Sequence, residues 1–327
     1  MSKVHQTALK SFNLNHANYD VLRPSFLPPI VNQFLVDLNL AEKTSPDSFT
    51  FKTDKKILEL AAGTGKFTKN LVNNGWKGNL TVAEPSTGML ESFTKNFPEV
   101  TAVNGSSYKL PLADNSVDVV IAAQAFHWFS DLDSLKEIQR VLKPHGAFGC
   151  IWNFDCPSIS QTLHKPYPKL NFFFENVSQE ATNKFIKLSK SLPLDDNLAR
   201  TIGEEFFKLH PWSREVSQYI YTFDTGVPQY RHGDWKKLLE KENDFFTPIT
   251  HENFMLYVSE IKREQIYEYW ETRSYITALS TEERKKIKEH ISTLLKENVT
   301  NDDIVDGNSD LLRKAMGTHS IVLQSKK

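Results

Sequence analysis

The residues best placed to do chemistry stand in Glu59-Leu60-Ala61-Ala62-Gly63-Thr64-Gly65 and in Glu84, 21 residues beyond Gly63. A Gly-rich turn between a strand and a helix lets backbone approach a ligand, and the helix start presents free N–H groups. Taken alone, such a loop is also what a tight strand-to-helix turn looks like. Glu84 adds a second requirement met, since an acid ending the second strand can accept two hydroxyl hydrogen bonds from a ribose. The loop is not a dinucleotide fingerprint. G-x-G-x-x-G would need glycines at 61, 63 and 66, where the chain has Ala61, Gly63 and Lys66. An acid at Glu59 would repel a pyrophosphate and attract an ammonium. The pattern therefore favours a cofactor with a cationic end and no phosphate, two conditions that S-adenosylmethionine meets. A P-loop is excluded, because no G-x-x-x-x-G-K-[ST] occurs.

These residues need a β/α frame, and residues 55–153 supply the pattern for one. KKILELA, NLTVAEPS, VTAVNGS, SVDVVIAAQAF and AFGCIWN read as five strands. The helical segments between them are KFTKNLVNN, GMLESFTKNFP and LDSLKEIQRVL. Near-continuous Val, Ile and Ala in the fourth run suit a parallel strand buried on both faces. Strands separated by single helices imply right-handed crossovers and a doubly wound α/β sheet. Residues 1–54 read as an N-terminal lid and helix, with 41–54 as a surface loop. Residues 154–249, rich in Pro and aromatics, read as a largely helical insertion capping the mouth of the sheet. Residues 250–327 return to regular elements that complete the core: a strand at ENFMLYV, a charged helical run EIKREQIYEYWETRSYITAL, the helix TEERKKIKEHISTLLKEN and a last strand GTHSIVLQSKK. The whole reads as a single domain.

Composition narrows the function. Of 327 residues, 39 are Lys or Arg and 40 Asp or Glu, a formal charge of −1. That balance excludes a dedicated phosphate-tracking nucleic-acid binder. Only Cys150 and Cys156 are present, so a disulfide scaffold or a Cys-rich metal site is excluded. His210, His232 and His251 lack metal-ligand spacing. No stretch approaches the roughly 20 apolar residues of a membrane helix, and the first 20 residues lack a signal-peptide apolar core. The expectation is a cytoplasmic protein, monomer or homodimer, without metal, membrane or nucleic-acid partner. Aromatics at 12% are high, and an aromatic-walled pocket would account for part of them.

The sequence resembles a class I S-adenosylmethionine-dependent methyltransferase. ILELAAGTGKFT resembles the first family motif, with Ala61 at a usual glycine position, and TVAEPSTGML the second. NGSSYKLPLADNSVDVVIAAQAFHWF resembles the third and fourth, and RVLKPHGAFGCIW a Gly-rich turn with His145 at a glycine position. Within that superfamily the closer resemblance is to the trans-aconitate methyltransferase-like, small-molecule branch. Gln124-Ala125-Phe126-His127-Trp128-Phe129 and the entry segment Asn18-Tyr19-Asp20-Val21-Leu22-Arg23-Pro24 carry it. The resemblance implies a Rossmann-like, mostly parallel seven-stranded sheet. It also implies cofactor contacts from Tyr19, Arg23, Glu59, Ala61, Gly63, Gly65, Glu84, Pro85, Met89, Ser106 and Gln124, with Glu84 on the ribose and Met89 beside the adenine.

His127 and Trp128 stand where a strand ends, the place ligands occupy in open α/β sheets, and are expected to line the acceptor pocket; packing under a lid is the alternative. Arg273 is read either as a substrate-carboxylate clamp or as a surface ion pair. Tyr219, Tyr221, Tyr230 and Trp235 are read as packing. The expected activity is methylation of a small molecule, in particular O-methylation of a carboxylate, which needs no general base. Were the acceptor a hydroxyl or amine, His127 is the candidate base or positioning residue. The competing readings are a protein or other macromolecular acceptor and a non-catalytic cofactor-binding interaction protein.

Overall fold

The computed structural model describes residues 21–224 and 226–327. Strands β1 (Ala41–Ser45) and β2 (Ser48–Phe51) pair antiparallel as a hairpin before the sheet begins. This replaces the surface loop expected at 41–54; Phe49 stacks with Phe51, and Phe51 meets Trp76 edge-on. The central sheet contains β3 (Ile57–Leu60), β4 (Leu80–Glu84), β5 (Thr101–Asn104), β6 (Val117–Ala123), β7 (Leu142–Phe154), β8 (Lys169–Glu175), β9 (His251–Lys262) and β11 (Asn308–Gln324). The short β10 (Ile304–Val305) pairs with β11.

The strand order is β5-β4-β3-β6-β7-β11-β9-β8. From β5 to β7 every pairing is parallel, and β11 runs antiparallel to both β7 and β9. The chain winds outward from β3 through β4 to β5, then returns to the far side of β3 as β6. That reversal makes a topological switch point between β3 and β6, where loops diverge and leave a crevice.

Apolar residues alternate between two faces. Ile57, Val82, Val119 and Ile121 meet helix Pro28–Asp37 and the aromatics Phe67 and Phe93 on one side. Leu58, Leu60, Val120, Ala122 and Phe148 meet helix Leu132–Val141 and the insertion on the other. Both faces are covered, as a parallel sheet requires.

The sheet holds nine strands among the described residues where seven were expected. The additions are β10 and β8, and β8 comes from the insertion. KLNFFFE carries no clean alternation because it pairs parallel with β9 and packs on both sides: Phe172 stacks on Phe254 and Phe174 on Phe185 on one face, while Phe173 packs against the cluster of Ile30, Met255, Tyr257 and Met316 on the other. The insertion is thus joined to the sheet by hydrogen bonds as well as packed on it. The charged run expected to be one helix is split into Gln265–Glu271 and Ser274–Thr277, with Thr272 and Arg273 at the break. The last strand starts nine residues before Gly317. Helix Thr281–Asn298 has the bounds its apolar spacing predicts, and a Ser280–Glu283 capping box starts it.

Much of the aromatic excess is structural. Trp76, Trp152, Trp212, Trp235 and Trp270 are all fully buried. Among the described residues no helix is long and apolar enough to cross a membrane.

Candidate active site

A cleft opens at the carboxyl ends of β3, β4, β6 and β7, across the switch point. Its floor is the loop after β3. The amide of Ala61 extends the ladder to the Ala83 carbonyl at 2.7 Å, and the chain then turns sharply at Gly63, φ 59°. Ala61 itself has φ 52° and His145 φ 61°. Both side chains therefore occupy left-handed backbone at the two positions where the resemblance leads one to expect glycine.

Glu84 ends β4 inside the cleft. Its Oε2 accepts the Gly63 N–H at 3.0 Å and its Oε1 accepts the Ser86 N–H at 2.8 Å. Burial raises its pKa against the pull of those two amides. Each oxygen keeps a lone pair for a ligand hydroxyl. Glu59 is fully buried beside it; Oε2 accepts from the Thr68 hydroxyl at 2.6 Å, and Oε1 is buried with no hydrogen-bond partner. Burial pushes its pKa up to about 8, eased by Thr68 and pushed further by the Glu84 charge. A buried carboxyl oxygen without a donor is a polar group awaiting one, and an ammonium supplies it. The acid pair fits a cofactor with a ribose and a cationic end.

The other predicted contacts fall as follows. Arg23, Ala61, Gly63, Pro85, Met89, Ser106 and Gln124 line the cleft with the two acids. Gln124 has φ 56° and its amide donates to the Asn153 carbonyl, tying the ends of β6 and β7 together. Gly65 does not face the cleft. A Cβ there would stand 2.2 Å from Phe97 Cε2, so the glycine serves the close approach of helix Thr87–Asn96 and its trailing ring. Tyr19 lies outside the described residues.

The opposite wall is cationic. Asp155, the residue after β7, is buried and accepts from Lys314 Nζ, from Arg273 Nη2 and from the Tyr269 hydroxyl. Against the cost of burial, the Lys314 and Arg273 charges hold its carboxyl well below the usual range. One carboxylate thus faces two cations. Arg273 packs 5.1 Å over the Trp270 ring, and its Nε is buried without a partner. Arg23 joins this wall, with Nη2 donating to the Thr272 carbonyl at 3.3 Å and the guanidinium 5.8 Å over Tyr269. Arg273 is therefore ion-paired, but within the cleft wall and not on a helix surface.

His127 and Trp128 line the cleft on the turn after β6. His127 is a poor base. Its Nδ1 receives the Trp152 indole N–H at 3.3 Å, and burial with the nearby His232 and Arg273 charges lowers its pKa to about 3. The general-base role considered for it fails on that environment. Tyr221 and Tyr230, expected as packing, line the cleft, whereas Tyr219 and Trp235 do not. Asp155, Tyr275 and Arg231 also line it and were not foreseen. Arg231 is held by Asp224 and packs 4.5 Å over Tyr221. Asp155 and Arg231 lie outside any motif, whereas Tyr275 stands two residues from Arg273, in the segment Thr272-Arg273-Ser274-Tyr275. His210 meets Asp303, His232 lies 3.4 Å from Asp224, and His251 meets Thr250.

With this geometry in view, comparisons with known proteins bear on the chemistry. Residues 58–150 match the family described as a methyltransferase domain. An uncharacterized methyltransferase-like protein of Schizosaccharomyces pombe is 40% identical over 148 residues, 45% of this chain and 53% of that one. A second from the same yeast is 38% identical over 162 residues, 48% of this chain and 60% of that one. The malonyl-[acyl-carrier protein] O-methyltransferase of Priestia megaterium is 25% identical over 229 residues, 66% of this chain and 76% of that one. The chain spans between half and two thirds of the length of the two yeast relatives.

Proposed function

We propose that the protein, whose residues 58–150 match a methyltransferase domain, uses S-adenosylmethionine to methylate a carboxylate oxygen of a small molecule within the cleft. The observation that carries this reading is the division of charge across one cavity. Two buried acids, Glu59 and Glu84, face the loop after β3, while Arg273 and Lys314 share the single carboxylate of Asp155 on the opposite wall. A cationic cofactor and an anionic acceptor are each matched by one side.

When bound, the cofactor supplies an electrophilic methyl group and a neutral thioether leaving group. The residues of the chain bind, orient and exclude water. Glu84 would hold the ribose hydroxyls, Glu59 the ammonium, and Met89 would border the adenine. Arg23 and Arg273 would orient the acceptor carboxylate in line with the methyl. No base is required for such an acceptor, which suits a wall where Asp155 is saturated with donors and His127 is a weak base. The aromatic sides of Trp128, Tyr221 and Tyr230 would keep water out.

The relative from Priestia megaterium acts by its name on a malonyl group carried by a protein, so a carrier-borne carboxylate is the second reading. Incubation with methyl-labelled cofactor and a panel of di- and tricarboxylic acids, free and carrier-linked, separates the two. Ester formed only on carrier-linked acids replaces the small-molecule reading, and no ester with either set sinks both. Failure to bind the cofactor at micromolar concentration would leave a non-catalytic interaction protein.

A further inference from the structure

His127 stands at the end of β6 facing the acceptor half of the cleft, on a turn whose position is set by pairing of Ala123 with Ile151 in β7. The next residue of β7 is Trp152, fully buried and packed against the rings of Trp235 at 4.4 Å and Tyr230 at 5.1 Å. Its indole N–H points at His127 Nδ1. An indole nitrogen can only donate, so Nδ1 must offer a lone pair and the single proton of the neutral ring must sit on Nε2. With Nδ1 committed to the indole, the Nε2 edge is the one left to the cleft.

We propose that His127 is a neutral hydrogen-bond donor to the methyl acceptor, its Nε2–H fixed by Trp152, which acts as a positioning residue. This rests on the carboxylate reading above. An N–H donor suits a carboxylate oxygen and offers nothing to an ammonium or a protonated amine. In the transfer, the oxygen–methyl bond forms as the methyl–sulfur bond breaks, sulfur keeps the electron pair, and no proton moves. His127 therefore stays neutral and unchanged throughout. The groups around it agree: Arg273 and His232 are the charged neighbours that act on it, both disfavour an imidazolium, and Asp155 is occupied by Lys314, Arg273 and Tyr269. Burial in addition keeps the ring far from protonation near neutral pH.

Nitrogen-15 NMR of the full chain labelled at histidine reads the tautomer without any acceptor. The expected result is a His127 ring protonated on Nε2 and unchanged from pH 5 to 8. A proton on Nδ1, or a titration in that range, overturns the proposal. In Trp152→Phe the expected result is a shift toward a mixture of tautomers, and a ring still locked on Nε2 removes Trp152 from its role. With the acid that the panel identifies, His127→Ala should raise KM about tenfold to a hundredfold, the scale of one hydrogen bond to a charged group, with cofactor affinity unchanged. His127→Gln, whose amide N–H reaches the Nε2 position, should restore KM, and His127→Asn should not. Equal defects in Gln and Asn would mean a packing role only. Absence of turnover with every acid sinks the carboxylate reading and this donor role with it, while the tautomer is decided independently.

Discussion

Glu84 holds the amide of Gly63: a carboxylate at the end of β4 accepts a 3.0 Å hydrogen bond from the turn after β3, across 21 residues of chain. The acid proposed to hold the ribose and the glycine turn are therefore joined directly. Glu84→Ala removes an acceptor of two backbone amides as well as the proposed ligand contact. The expected loss in cofactor affinity is about 1–3 kcal/mol, the range for an unmade hydrogen bond to a charged group. Calorimetric titration checks it, and an unchanged dissociation constant would remove Glu84 from the ribose.

Glu59 links stability to pH. Its pKa of about 8 in the folded chain lies above the ordinary glutamate value of 4.5, so folding favours the protonated form. The stability it contributes is full below about pH 4.5 and is lost as pH rises through 8. The difference amounts to about 3–5 kcal/mol for a shift of this size. Glu59→Gln should lack this component, so its urea-denaturation stability should gain on the parent's between pH 5 and 9. Parallel pH profiles for the two proteins would contradict the placement.

The same acid predicts proton release. A cationic ligand beside Glu59 favours the carboxylate, so cofactor binding at pH 7 should expel a fraction of a proton. Calorimetry in buffers of different ionisation enthalpy reads that fraction, which should vanish in Glu59→Gln.

Ala61 and His145 carry side chains at φ 52° and 61°. Left-handed backbone costs a non-glycine residue about 1–2 kcal/mol, offset in part by the extra chain entropy that glycine loses on folding. Ala61→Gly and His145→Gly should each stabilise by roughly 0.5–1 kcal/mol, seen as a higher Tm. A fall in Tm at both sites would show that the strain is relieved elsewhere.

Asp155 is the shared counter-charge of two cations, the partly buried Arg273 and the buried Lys314. Asp155→Asn leaves them without a counter-charge and should cost about 3–5 kcal/mol, the range for breaking a buried pair. Its carboxyl is held below the usual range, so its contribution is present above pH 4 and fades as pH falls. Chemical denaturation at pH 7 checks the magnitude, and a loss under 1 kcal/mol would show that water reaches the cluster.

The β/α core and the floor of the cleft were legible in the chain because they are local. Continuous apolar runs mark strands buried on both faces, and one turn with an acid on each side marks a ligand site. Glu59, Gly63 and Glu84 needed only strand-end positions, whereas Pro85 and Met89 came from the motif resemblance. The place of Gly65 beside Phe97 was not legible, because a glycine allowing a ligand near and one allowing a ring near look the same in sequence. β8 was missed because its pairing with β9 lies 82 residues away at Asn171 and Asn253.

What the sequence determined by itself is the sheet of β3 to β7, the acid-flanked turn and the neutral overall charge. Tertiary structure alone decided the cationic wall of the cleft. Asp155, Tyr269, Arg273 and Lys314 come from three separate segments, and their chemistry arises from mutual approach in a buried place. It also decided the state of His127, since a histidine's proton is set by what faces each ring nitrogen, and Trp152 reaches Nδ1 only when β6 and β7 lie side by side.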